Sequence, residues 1–377
     1  MLKKHLIGGA IAAALSFSAL ADYTFRVPAG VGFSPENIVE SAPEGLHSIS
    51  CGHLHCYGLK SGSIWSVGRN QYGQLGRNGA TNTSQSTWGD TGQPADSVIA
   101  GDEHGYALHN GTIWSVGRNQ YGQLGRNGTT TQTTWGDTGQ PANSVSAGAH
   151  HGYALHNGTI WSVGFNGYGQ LGRNGTTQQT TWGDTGQPAD SVSAGGNHGY
   201  ALHNGTIWSV GRNQYGQLGR NGTTTQTTWG NTGQPANSVS AGGNHGYALS
   251  GDTIWSVGYN GFGQLGRNGT TQQTTWGDTG QPADSVSAGV YHGYALHNGT
   301  IWSVGHNGFG QLGRNGTAQQ TTWGNTGQPA DSVSAGAYYG YALSGDTIWS
   351  VGYNGYGQLG LGDQTSRSTF TEVTISE

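Results

Sequence analysis

The pentapeptide Ile-Trp-Ser-Val-Gly occurs seven times, with its tryptophans at Trp65, Trp114, Trp161, Trp208, Trp255, Trp302 and Trp349. The first interval is 49 residues and the other five are 47. A fixed period of this size is the mark of one small unit stacked on itself, not of a long unique fold. It also gives an internal comparison, because near-identical copies show where the chain departs from its own rule.

One unit runs from Asn143 to Ala189. It has no helical period and reads as short β-type runs between turn signals. Ser144–Ala147 is a first strand and Gly152–Leu155 a second. Asn157-Gly158 is a two-residue hairpin turn, whose central residues both need positive φ. Thr159–Val163 is the third strand, a Gly-rich loop follows, and Thr180–Trp182 is a short outer strand. In the third strand Thr159, Trp161 and Val163 point one way, and Ile160 and Ser162 the other. The bulky face of one unit can then cover the small face of the next. Three to four short strands per unit and seven units fit a closed β-propeller.

Gly195-Gly196-Asn197-His198 followed by an apolar strand, then Trp-Ser-Val-Gly-x-Asn-x-x-Gly-Gln-Leu-Gly to Gly219, resembles the regulator of chromosome condensation repeat family. The resemblance recurs in all seven units. It implies an all-β, seven-bladed β-propeller over residues 46–377, closed where the N- and C-terminal segments lie side by side. It also implies that the repeated His55, His104, His151, His198, His245 and His292 are structural and fix a turn by a hydrogen bond. The last unit departs from the pattern, with Leu361-Gly362-Asp363 in place of Arg-Asn-Gly and Phe370 in place of the outer Trp. The family's founder is a nuclear exchange factor. Guanine-nucleotide exchange is not expected here, because no matching exchange residues and no basic tail are found.

Residues 1–21 read as a signal peptide: Lys3 and Lys4, an apolar stretch from Leu6 to Leu20, and Ala19-Leu20-Ala21 as an A-x-A cleavage site. Residues 22–45 form a lead segment, with 22–43 expected to help cover the seam. Export to the periplasm, cell surface or medium follows, without membrane insertion. Without Lys3 and Lys4 the 14 basic residues become 12 against 19 acidic ones, about −7. Such a charge disfavours nucleic acid and anionic membranes as partners. Gly is 72 of 377 residues and charged residues only 9%, a composition open to disorder, but 13 Trp and 18 Tyr in strict register are what a packed core buries.

Two positions vary among the copies without an evident chemical rule. Before the repeated His stand His53-Leu54, Asp102-Glu103, Ala149-His150, Gly196-Asn197, Gly243-Asn244, Val290-Tyr291 and Ala337-Tyr338. After Val-Gly stand Arg69, Arg118, Phe165, Arg212, Tyr259, His306 and Tyr353. Antiparallel neighbours place both loops on one propeller face and the near-constant hairpins on the other. That face is the expected binding surface, since Tyr, Trp and Arg dominate interface energetics. The competing reading is drift in unpacked loops.

Cys51 and Cys56 flank a four-residue turn and are expected to pair as a disulfide, as exported chains allow. The alternatives are a metal site or free thiols, but ligands crowded into six residues surround one ion poorly. Arg77, Arg126, Arg173, Arg220, Arg267 and Arg314 are expected to make local contacts to loop carbonyls or to Asp90-type neighbours. No unique convergence of nucleophile, base and orienting group is visible. No enzyme activity, cofactor or metal is therefore expected. The sequence points to a monomeric scaffold that captures a protein, with a glycan as the second ligand class. Symmetry separates the two: a lectin repeats its contact residues, whereas a protein binder uses unlike ones.

Overall fold

The computed structural model describes residues 45–77 and 81–375; residues 1–21, expected to be a signal peptide, and nearly all of the expected lead segment lie outside them. The described residues form seven four-stranded antiparallel sheets, each built from four consecutive strands, and contain no helix. These are seven blades, numbered 1 to 7 in chain order. In blade 3 the strands are Ser144–Ala147, His151–His156, Thr159–Gly164 and Gln179–Pro188. The hairpin falls where expected, with Asn157 at φ 51° and Gly158 at φ 74°.

The fourth strand corrects the sequence reading. It is ten residues long, not three, and Gly183 to Gly186 continue it instead of ending it. Trp161 pairs with Asp184 and Thr159 with Pro188, so extra residues bulge out between these pairs. Gly186, at φ 73°, takes the bulge, and the Asp184 carboxylate accepts its N–H at 2.8 Å. A glycine that looks like a strand terminator can equally mark a bulge.

Blade-on-blade packing follows the two-faced third strand. Trp161 and Val163 pack toward blade 2, against Tyr106, Leu108 and Ile113. Ile160, Tyr153 and Leu155 pack toward blade 4, against Ala194 and Ala201. Large therefore meets small at each interface, and the small side is sterically required. A Cβ added at Gly152 would lie 2.5 Å from the Tyr106 hydroxyl.

The seam between blades 7 and 1 reuses the ordinary interface and adds to it. At ordinary interfaces a serine hydroxyl accepts the N–H of the next blade's first strand, as Ser146 does from Ala194 at 3.0 Å. At the seam Ser334 accepts from Cys51, also at 3.0 Å. The Gly362 N–H reaches the Ser86 carbonyl at 2.9 Å, as Asn127 reaches Thr180 elsewhere. Leu46 from the N-terminal side and Val373 and Ile375 from the C-terminal side share one core cluster, so the two segments do meet there. Gly58 makes the room: it replaces the Ala107-type residue of other blades, and a Cβ there would lie 2.8 Å from Leu46.

Cys51 and Cys56 are register partners with Cα atoms 4.2 Å apart, and they form a disulfide. The six repeated histidines are fully buried. None of their ring nitrogens makes a hydrogen bond of strict geometry, but the rings of His55, His151, His198 and His292 do meet the main chain of the next blade, at His104, His198, His245 and Tyr339. Each ring packs on its own turn and edge-on to the tyrosine two residues later, as His151 does on Tyr153 at 5.0 Å. Burial holds His55, His151, His198, His245 and His292 neutral, their pKa pushed down to about 3. The repeated arginines do make local carbonyl contacts: Arg126 donates to the carbonyls of Ser115 and Thr134.

Candidate functional site: the variable face

The two variable loops are joined by the backbone in every blade. The N–H of Arg69 donates to the Leu54 carbonyl, Arg118 to Glu103, Phe165 to His150, Arg212 to Asn197, Tyr259 to Asn244, His306 to Tyr291 and Tyr353 to Tyr338, at 2.8–2.9 Å. Both loops therefore lie on one face. Around the axis, His53, Asp102, His150, Asn197 and Asn244 border a cavity of about 300 Å³ formed by the ends of the seven first strands.

Further out, the second variable position obeys a rule that the sequence reading missed. Arg69, Arg118, Phe165, Arg212, Tyr259, His306 and Tyr353 all carry planar groups. Each stacks on an aromatic ring of the preceding blade: Arg118 on Tyr72 at 5.0 Å, Phe165 on Tyr121 at 4.9 Å, Arg212 on Tyr168 at 5.1 Å, Tyr259 on Tyr215 at 4.9 Å. His306 on Phe262 and Tyr353 on Phe309, both at 4.8 Å, continue the series, and Arg69 on Tyr356 at 5.4 Å closes it across the seam. The variation is thus constrained: guanidinium, imidazole and phenyl planes are interchangeable between two rings, through stacking and cation–π attraction. The signal was present in the sequence, since a Tyr or Phe follows each variable residue by three positions. It is masked by the glycines of the loop that carries it.

This annulus is not uniform. Across blades 1 and 2, Glu103 lies between Arg69, at 3.2 Å, and Arg118. On blades 5, 6 and 7 the residues are aromatic, and blade 1 adds His53 and Leu54. His53, Leu54, Tyr291, His306, Tyr338 and Tyr353 converge with Phe262, Phe309 and Tyr356 on a cavity of about 440 Å³ that no Lys, Arg, Asp or Glu lines. Tyr338 is central, with Phe309 at 5.5 Å, His306 at 5.9 Å and Tyr291 at 6.0 Å. Phe309 is 39% exposed, unusual for such a large ring. Six of the sixteen variable residues thus share one pocket, and the other ten lie around the axis, in the annulus or in the ion-pair cluster.

A seven-bladed β-propeller with its unlike residues gathered on one face is the class that this fold and face define. No protein-family model matches the chain, and no curated protein matches its sequence. Among solved structures it is similar to yeast RCC1 (Prp20) bound to Kap60, at 20% identity over 93% of this chain and 92% of that one, with a TM-score of 0.75. Prp20p from Saccharomyces cerevisiae also appears in a structure described with its binding to Gsp1p and histones, at 20% identity, 89% and 88% coverage and a TM-score of 0.75. Human WBSCR16 matches at 20% identity, 79% and 86% coverage and a TM-score of 0.70. At this identity the likeness is one of fold.

Proposed function

We propose that this chain is a non-enzymatic, exported binding scaffold that captures a protein partner through its variable face. The observation that carries the reading is the aromatic cavity: unlike residues from four adjacent blades meet there, and one of its rings is left open to solvent. Clusters of aromatic anchors in a pocket, with a polar, charged rim beside them, are how protein interfaces concentrate their affinity. That the yeast propeller of similar fold has been solved bound to Kap60 agrees with such a use of the architecture. The unlike composition of the face argues for a single partner over several equal sugars. Export rests on residues 1–21, and the Cys51–Cys56 bridge fits an oxidising compartment.

The test is capture from the native surroundings. Replacing Tyr259, Tyr291, Tyr338 and Tyr353 together with Ala is expected to abolish capture of the partner while the circular dichroism of the ring stays unchanged. Undiminished capture would remove the face from the account.

A further inference from the structure

The rim of the propeller carries a second set of pockets, and these repeat. Between blades 2 and 3, Arg126, Asn127, Asp137, Gln140 and Trp182 line a cavity of about 320 Å³. Between blades 4 and 5 the same positions, Arg220, Asn221, Asn231, Gln234 and Trp276, line about 330 Å³. Between blades 5 and 6, Arg267, Asn268, Asp278, Gln281 and Trp323 line about 320 Å³. Each pocket is held by a bridge between neighbouring blades, such as Arg126 with Thr181. Near-equal pockets built from repeated residues are what the unlike face lacks.

The asparagine is the informative member. Asn127, Asn221 and Asn268 sit in the left-handed region, at φ 54°, 56° and 55°. After glycine, asparagine is among the residues that take this conformation most readily. Blade 7 shows that glycine serves the backbone at this position: Gly362 has φ 79° and still makes the inter-blade bond to Ser86. The side-chain amides of these asparagines are exposed, make no hydrogen bond within the described residues, and line the pockets, where they are open to a ligand. Leu361 and Gly362 replace Arg and Asn together at the seam.

The remaining groups narrow the ligand. Asp137 spends one carboxylate oxygen on the Gly139 N–H at 2.8 Å and keeps the other. It does not pair with Arg126, although both line the same cavity. Where Asp137 or Asp278 lines the pocket its carboxylate disfavours an anion, Asn231 stands in that place between blades 4 and 5, and the guanidinium of all three pockets disfavours a cation. The free amide offers both a donor and an acceptor, the carboxylate a further acceptor, and the indole an apolar wall. Adjacent hydroxyls on a ring with an apolar face complement this set, and the volume stands at the small end of ligand sites.

We infer that the inter-blade rim pockets each bind one neutral sugar residue, which makes the edge of the propeller a multivalent glycan-binding surface. Single sites of this size bind weakly, and linked occupancy raises the apparent affinity steeply. The inference is independent of protein capture by the variable face.

The experiment uses the full chain, with the methyl glycosides of glucose, galactose, mannose and N-acetylglucosamine as probes in saturation-transfer NMR, and beads carrying the same sugars to read avidity. At least one sugar is expected to bind. Replacing Asn127, Asn221 and Asn268 with Gly, the residue of blade 7, preserves the backbone and is expected to weaken retention on the beads at least tenfold. The tyrosine variant of the face is expected to keep it. Binding of none of the four sugars, equal retention by the asparagine variant, or loss in the tyrosine variant instead would each overturn the inference.

Discussion

The Tyr339 hydroxyl donates to the main-chain carbonyl of His55 at 2.8 Å, across the seam where the ring closes. Every other blade has a histidine at the Tyr339 position, and in several of them the ring meets the next blade's main chain without strict hydrogen-bond geometry, as His55 does at His104 and His151 at His198. The seam thus has a well-formed hydroxyl bond where these interfaces have a looser imidazole contact. Replacing Tyr339 with Phe removes only that donor. Because the His55 carbonyl also accepts from Gly52, no acceptor is stranded. The expected loss is about 1 kcal/mol, read as a lower denaturant midpoint with an unchanged slope.

The disulfide gives a second seam test with a built-in control. The other blades have Ala and Gly where blade 1 has Cys51 and Cys56, for instance Ala147 and Gly152. The double substitution Cys51→Ala, Cys56→Gly therefore restores the unit's own sequence. The short closed loop is worth about 2 kcal/mol in the chain-entropy account. A reductant is expected to lower the melting temperature of the native chain and to leave that of the variant unmoved.

Acid is expected to unfold the ring cooperatively. His55, His104, His151, His198, His245 and His292 have folded pKa values pressed well below the ordinary 6.5, first of all by burial. The folded state stays unprotonated at these positions while the unfolded chain takes up protons below about pH 6.5. Stability is therefore full above that pH and is lost progressively as pH falls toward 3. Urea midpoints read by tryptophan fluorescence should fall steeply between pH 6.5 and 4. A flat profile would contradict buried neutral rings.

The annulus makes a prediction about interchangeability. Phe165→Arg copies what blades 1, 2 and 4 already have between the same two rings and should leave stability nearly unchanged. Phe165→Ala removes contacts to Tyr121 and Tyr168 and should cost about 1 kcal/mol or more, by the usual strength of aromatic pairs. Equal melting temperatures for the two variants would contradict the stacking account.

The sequence shows most of the architecture because the signals that set it are local and repeated. Hairpin glycines, the two-faced third strand and the cysteine spacing each act within a unit. What it hides lies between units. Leu46 packs with Val373, and Tyr339 reaches His55, only because residues about 300 positions apart become neighbours when the ring closes. The full length of the fourth strand is hidden because Gly183 and Gly186 resemble turn residues, and only the pairing of Asp184 with Trp161 shows a bulge. The aromatic pocket was half visible. Its variable residues stood out, whereas Phe262, Phe309 and Tyr356 looked like constant loop residues.

Contact at the variable face is tested most directly by site-specific photocrosslinking in the native surroundings, with the reactive group at Tyr338 in one preparation and at Asn157 on the opposite face in another. The account expects Tyr338 to give one discrete protein adduct and Asn157 to give none. No adduct from Tyr338, or the same adduct from both positions, would contradict it.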